Sequence, residues 1–152
     1  MQPAGGQRGI GSKPTSSGAV AKHEDRESQV TIEGIDHVQL AAPRRCEAAA
    51  RAFFGALVGL EEIEKPPLLA ARGGCWFRVG AHELHIGVAD PFTPAEKAHP
   101  AFRIVSADAL HALAARLGEA GAAVEWADEQ EIPGVVRFFV RDPWGNRLEF
   151  LA

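Results

Sequence analysis

Close to the end of the chain, the segment Asp142-Pro143-Trp144-Gly145-Asn146-Arg147-Leu148-Glu149-Phe150 divides into a turn and a strand. Asp, Pro, Gly and Asn within five positions supply the side-chain acceptors, fixed φ and left-handed tolerance that a tight turn needs. From Arg147 to Leu151 polar and apolar residues alternate, so Arg147 and Glu149 share one face while Leu148 and Phe150 share the other. Such a strand covers a core with one face and presents a cation and a carboxylate on the other.

Working backwards, the turn joins this strand to another over Val135–Arg141, and a further strand fits Ala123–Ala127. Before these, Leu110, Leu113, Ala114 and Leu117 recur at helical spacing over about Ala107–Ala120, with Ser106 placed as N-cap and Gly121 as the stop. A strand from His99 to Val105 opens the run, and Pro100, which lacks an N–H, places His99 at its start or at an edge. The order is strand, helix, three strands.

The first half has the same order. A strand over Ile35–Ala41 precedes a helix from about Cys46 to Val58 with the apolar stripe Ala49, Phe53, Ala56 and Leu57, ended by Gly59. Strands follow near Leu60–Glu64, Cys75–Val79 and Glu83–Val88, separated by Pro66-Pro67, Gly73-Gly74 and Gly80. His37 and His85 lie 48 positions apart and His99 and Glu149 lie 50 apart, so each half begins with a histidine and closes with a ligand-capable residue at matched spacing. The expected fold is α+β, two βαβββ modules (about 32–90 and 95–152) forming a cupped eight-stranded mixed sheet around a cavity, with the helices outside.

Alternation assigns the inner faces. His37 and Gln39 share a face, as do Glu83 and His85, then His99, Ala101 and Arg103, then Arg147 and Glu149. The opposite faces are apolar and suit the two helices. A pseudo-twofold packing of the modules gathers His37, His85, His99 and Glu149 about one cavity. Imidazole with carboxylate suits divalent Fe, Mn, Ni, Zn or Co and leaves coordination positions open for substrate or water. Gln39, Arg103, Arg137 and Arg147 are candidates for binding substrate, the arginines through an anionic group. His23, His82 and His111 are read as structural or surface histidines, and Phe92, Trp76 and Trp144 as packing residues.

Composition narrows the partners. In 152 residues, 46% hydrophobic and 24% charged, there is enough apolar material for one domain. Residues 1–31 lack apolar periodicity and are expected to be a disordered tail. A net charge of −4, from 16 basic and 20 acidic residues, offers no general attraction for nucleic acid or anionic lipid. With no apolar run near the roughly 20 residues that span a bilayer and no signal-like segment, the expectation is a cytoplasmic protein acting on a small molecule. Cys46 and Cys75 are too few for a disulfide scaffold and are expected to be buried or half-buried thiols.

His37-Val38-Gln39-Leu40, Phe53-Phe54-Gly55-Ala56-Leu57-Val58-Gly59-Leu60 and the terminal Asp142 to Phe150 segment together resemble the vicinal oxygen chelate superfamily, which includes glyoxalase I, bleomycin- and fosfomycin-resistance proteins and extradiol dioxygenases. The resemblance covers about Ile32 to Ala152. It implies metal ligands at His37, His99 and Glu149, with Glu149 also catalytic, and a further ligand at His85, where glyoxalase I usually has glutamate. It implies a divalent-metal-dependent lyase or isomerase of glyoxalase type. One alternative is a ring-cleaving dioxygenase using His37, His99 and Glu149 without His85, and another is a non-catalytic small-molecule or antibiotic-binding protein. Pairing of chains, common in the superfamily, implies a homodimer.

Overall fold

A computed structural model describes residues 32–152; the expected tail, 1–31, lies outside the described residues. The elements, in order, are β1 (His37–Ala42), α1 (Glu47–Ala50) running on into a π-helical stretch (Arg51–Val58), β2 (Glu62–Ile63), α2 (Pro67–Ala70), β3 (Cys75–Val79) and β4 (His82–Val88). The second series is β5 (Ala101–Arg103), α3 (Ala107–Glu119), β6 (Glu125–Trp126), β7 (Arg137–Arg141) and β8 (Arg147–Leu151).

The repeat is real in three dimensions. One sheet has the order β1-β4-β3-β2 and the other β5-β8-β7-β6, which is first, fourth, third, second in both. In each, the first strand runs parallel to the fourth and the remaining pairs are antiparallel. The eight strands form two four-stranded sheets rather than one continuous sheet. The edge strands β1 and β5 instead flank a cleft of about 610 Å³, lined by Gln39 and Leu40 on one side and His99 and Phe102 on the other.

The helices cover the expected faces. Leu40, Ala42, Phe77, Leu84 and Ile86 form the inner layer of the first module and are buried with Phe53 and Phe54; Phe102, Phe138, Val140, Leu148 and Phe150 do the same in the second with Leu110, Leu113 and Leu117. Ser106 caps α3, its hydroxyl accepting from the Ala109 N–H at 3.2 Å. The first helix ends at Gly59, whose φ of +90° is open to glycine at no steric cost.

Three expected boundaries shift for identifiable reasons. Pro66-Pro67 reads as a turn, yet Pro67 opens the short α2, where a proline's missing N–H costs nothing. Pro100 starts β5 late, at Ala101, although the Pro100 carbonyl still accepts from the Glu149 N–H at 3.0 Å. The first helix winds as π after Ala50 and closes with the Leu60 N–H on the Phe54 carbonyl at 2.9 Å.

Residues 34–152 fold as one unit, and two side chains tie its modules together. Arg116 of α3 donates from Nε to the Leu57 carbonyl at 2.7 Å, satisfying an acceptor at the end of the first helix. Asn146, in the turn before β8, donates from Nδ2 to the Ala41 carbonyl of β1 at 2.8 Å. Cys46 and Cys75 are free and buried, and burial pushes the Cys75 thiol up to about 11, so it is inert at neutral pH. Among the described residues, no helix is long and apolar enough to cross a membrane.

Candidate metal and substrate site

The register sets the faces. Gln39 lies opposite His85 and His37 opposite Glu83 across β1 and β4, and Trp76 of β3 lies opposite His85. All five side chains therefore share the face turned away from the helices. The His85 ring is sandwiched, with its centroid 4.2 Å from His37 and 3.8 Å from Trp76 in stacked geometry. Its Nε2 donates to the Glu83 carboxylate at 2.8 Å. His37 donates from Nδ1 to Asp36 at 2.7 Å, a bond that holds the Asp36 carboxyl below its usual range. Gln39 lies over Gly87, where a Cβ would come within 2.7 Å of its amide carbon, so glycine there makes room for the glutamine side chain.

On the second sheet Glu149 lies opposite Phe139 and Ala101. Both carboxylate oxygens are engaged: Oε1 accepts from Arg137 at 2.9 Å and Oε2 from His99 Nε2 at 3.0 Å. Burial raises the pKa of Glu149, but the hydrogen bonds from Arg137 and His99 outweigh it and the net shift is downward, so the residue is an anion at neutral pH. Arg137 also pairs with Glu131, and its buried Nε has no partner among the described residues. Arg147 lies over the Phe139 ring at 3.9 Å.

Both nitrogens of His99 face acceptors, since Nδ1 donates to the Lys97 carbonyl at 2.8 Å. Nε2 faces the Glu149 carboxylate, so the ring is fixed in orientation at both nitrogens. A backbone carbonyl on the far nitrogen is the usual means of aiming an imidazole at a metal. Imidazole nitrogen beside carboxylate oxygen is a donor chemistry that suits a divalent transition metal.

The four expected ligands fall into two pairs, His37 with His85 on the first sheet and His99 with Glu149 on the second. Among the described residues, no three His, Cys, Asp or Glu side chains stand together as a set for one ion. Gln39 and Glu83 share the cleft between the sheets with His99, whereas Arg137 and Arg147 share a cavity of about 500 Å³ with His99 and Glu149. Arg103 lies apart, in a pocket with Val105, Ser106 and Ala152. His82 and His111 are exposed, and His23 lies outside the described residues. Trp144 packs against the core.

Sequence reasoning treated Trp76 as packing and did not single out Phe139 or Glu131. Phe139 was legible by alternation with Arg137 and Arg141. Glu131 sits in an irregular connection that carries no periodic signal.

The family model "Glyoxalase/Bleomycin resistance protein/Dioxygenase superfamily" matches residues 34–150. A glyoxalase family protein from Bacillus anthracis is 49% identical, with a TM-score of 0.74 over 81% of this chain and 97% of that one. Lactoylglutathione lyase from Agrobacterium tumefaciens (22% identity, TM-score 0.62, 80% and 94% coverage) and the oxidase ChaP-H2 (24%, 0.60, 81% and 94%) share the fold. No curated protein matches the sequence. With the family model spanning both modules and a near-full-length structural relative at close to half identity, the chain belongs to the glyoxalase/bleomycin resistance protein/dioxygenase superfamily.

Proposed function

We propose that this chain is a divalent-metal-dependent enzyme of glyoxalase-like lyase or isomerase type, acting on a small substrate with neighbouring oxygen donors. His37, His85, His99 and Glu149 would hold the ion. The observation that carries the reading is the His99–Glu149 pair, spaced at 3.0 Å with the far nitrogen of His99 fixed by the Lys97 carbonyl. A bound Fe, Mn, Ni, Zn or Co ion would supply Lewis acidity to the substrate oxygens. Glu149 is the candidate catalytic carboxylate. Arg137 holds its Oε1 and Oε2 faces His99 Nε2, so the carboxylate is fixed in orientation from both sides.

The ligand pairs lie on separate sheets, and the reading completes the set with a second copy of the chain in a homodimer, each site taking one pair from each chain. A ring-cleaving dioxygenase is the second reading, and one observation favours it: the His85 ring is clamped between Trp76 and His37 with Nε2 committed to Glu83. That would leave His37, His99 and Glu149 as the ligands.

The test is metal content by elemental analysis. About one ion per chain is expected in the parent, with loss in His37→Ala, His99→Ala and Glu149→Ala. His85→Ala loses metal under the first reading and retains it under the second. Refolding His37→Ala together with Glu149→Ala as a mixture should restore metal to one site in each mixed dimer. Normal metal in all three single variants sinks the ligand assignment, and no restoration in the mixture sinks the shared site.

A further inference from the structure

His85 is held by the opposite nitrogen from His37 and His99. Those two rings each engage an outer acceptor through Nδ1, the Asp36 carboxylate at 2.7 Å and the Lys97 carbonyl at 2.8 Å, and keep Nε2 for a ligand. His85 instead engages through Nε2, 2.8 Å from Glu83 Oε2, and its Nδ1 has no hydrogen-bond partner among the described residues. An ionised carboxylate accepts and does not donate, so the ring proton sits on Nε2 and the lone pair on Nδ1.

Glu83 has no other polar side chain to serve among the described residues. Alternation puts it on the same face of β4 as His85. Register sets Arg78 beside it, but the carboxylate that Arg78 approaches is that of Glu61, at 3.9 Å. The His85 side chain is 7% exposed and that of Glu83 32%, so the acid reaches from the rim of the cavity to a buried ring. Trp76 and His37 cover the two ring faces at 3.8 Å and 4.2 Å. Stacking on both faces blocks the half-turn that would exchange the two nitrogens, and Glu83 decides which of them carries the proton. The second module treats its closing residue alike, setting the opposite charge of Arg137 on Glu149 Oε1 at 2.9 Å.

From this we infer that Glu83 is a positioning residue: it fixes His85 as the Nε2–H tautomer, so that His85 offers the ion Nδ1 where His37 and His99 offer Nε2. The inference rests on the four-ligand reading proposed above, and adds the atom through which His85 binds and the residue that selects it. Which nitrogen of an imidazole is metallated is set by the hydrogen bond the other makes. A carboxylate there also makes the ring a stronger donor, and losing such a partner typically weakens metal binding about 10–100-fold.

The experiment is long-range proton–nitrogen NMR correlation of the histidine rings in the chelator-treated full chain, before and after addition of zinc. It is run at about pH 8, above the ordinary imidazole range, and the His85 signals are identified by their absence in His85→Ala. Before zinc, His85 should carry its proton on Nε2 alone; after zinc, its Nδ1 should shift, as should Nε2 of His37 and of His99. Competition with a chromophoric chelator should show zinc affinity lowered about 10–100-fold in Glu83→Ala. Glu83→Gln, whose amide oxygen still accepts from Nε2–H, should keep the tautomer and lie between Glu83→Ala and the parent. A His85 proton on Nδ1, a zinc shift at its Nε2, or unchanged zinc affinity in Glu83→Ala each overturns the inference. Zinc shifts at His37 and His99 with His85 unmoved overturn it and leave the three-ligand reading standing, whereas no shift at any of the three rings overturns the metal site as well.

Discussion

Replacing Asn146 by alanine removes the one carboxamide that ties the Asp142-Pro143-Trp144-Gly145-Asn146 turn to the first module. Asn146 is 1% exposed. Its Nδ2 donates to the Ala41 carbonyl at 2.8 Å and to Asp142 Oδ2 at 2.7 Å, and its Oδ1 accepts from the Ala95 N–H at 2.9 Å. Alanine leaves a β1 carbonyl, a backbone N–H in the link between modules and a buried carboxylate oxygen each without that partner. An orphaned buried group costs about 1–3 kcal/mol, more for a charged one, and a water admitted to the vacated volume recovers part of it. The expected loss is about 3–5 kcal/mol, a fall in Tm of about 10–20 °C for a domain of this size. Asn146→Asp is the informative companion. It still accepts from Ala95 but sets a second carboxylate against Asp142 and against the Ala41 carbonyl, so at pH 7 it should be at least as damaging as alanine. Burial already pushes the Asp142 carboxyl upward against the hydrogen bonds from Asn146 and the turn N–H groups, so the aspartate variant should regain stability as the pH falls toward that raised value. Urea unfolding at constant slope measures both. An Asn146→Ala protein within about 1 kcal/mol of the parent would refute the claim that this side chain staples the modules.

Two further perturbations test the fold and the site. At Gly74, φ is +81° and a Cβ would lie 1.9 Å from the Ile86 carbonyl oxygen, so Gly74→Ala should cost more than about 4 kcal/mol or prevent folding, whereas Gly80→Ala, with φ +59° and open space, should cost about 1–2 kcal/mol; equal urea midpoints would contradict this. Glu149 has its pKa lowered from 4.5 in the folded chain, so its pairing stabilises fully above that value and is lost as the pH falls through the folded one. Arg137→Gln should therefore be less stable than the parent at pH 7, with the gap closing below about pH 4.5; a gap that stays constant down to pH 3 would show that Arg137 acts through packing rather than charge.

Much of the fold was legible because burial on one face leaves a period in the residue order. The β8 alternation Arg147-Leu148-Glu149-Phe150, the stripe of α3 with Ser106 and Gly121 at its ends, and the matched spacing of the two halves all survive in the structure. The strands expected at Leu60–Glu64 and Ala123–Ala127 are present as β2 and β6, but their shortening to two residues each and the π winding after Ala50 were not legible, since they depend on pairing and packing partners distant in the chain rather than on local pattern.

The candidate site divides in the same way. By themselves the residues determined which side chains share an inner face, because strand alternation is a local property: His37 with Gln39, Glu83 with His85, Arg147 with Glu149. Only the tertiary structure decided which of these meet. It set Trp76 and His37 on either side of His85, gave both oxygens of Glu149 a partner, delivered Glu131 from an irregular connection to Arg137, and left Arg147 open on Phe139. It also kept the two ligand pairs on separate sheets, because the edges of β1 and β5 flank a cleft instead of bonding to each other. Those outcomes depend on distances between elements far apart in sequence, which no periodicity encodes.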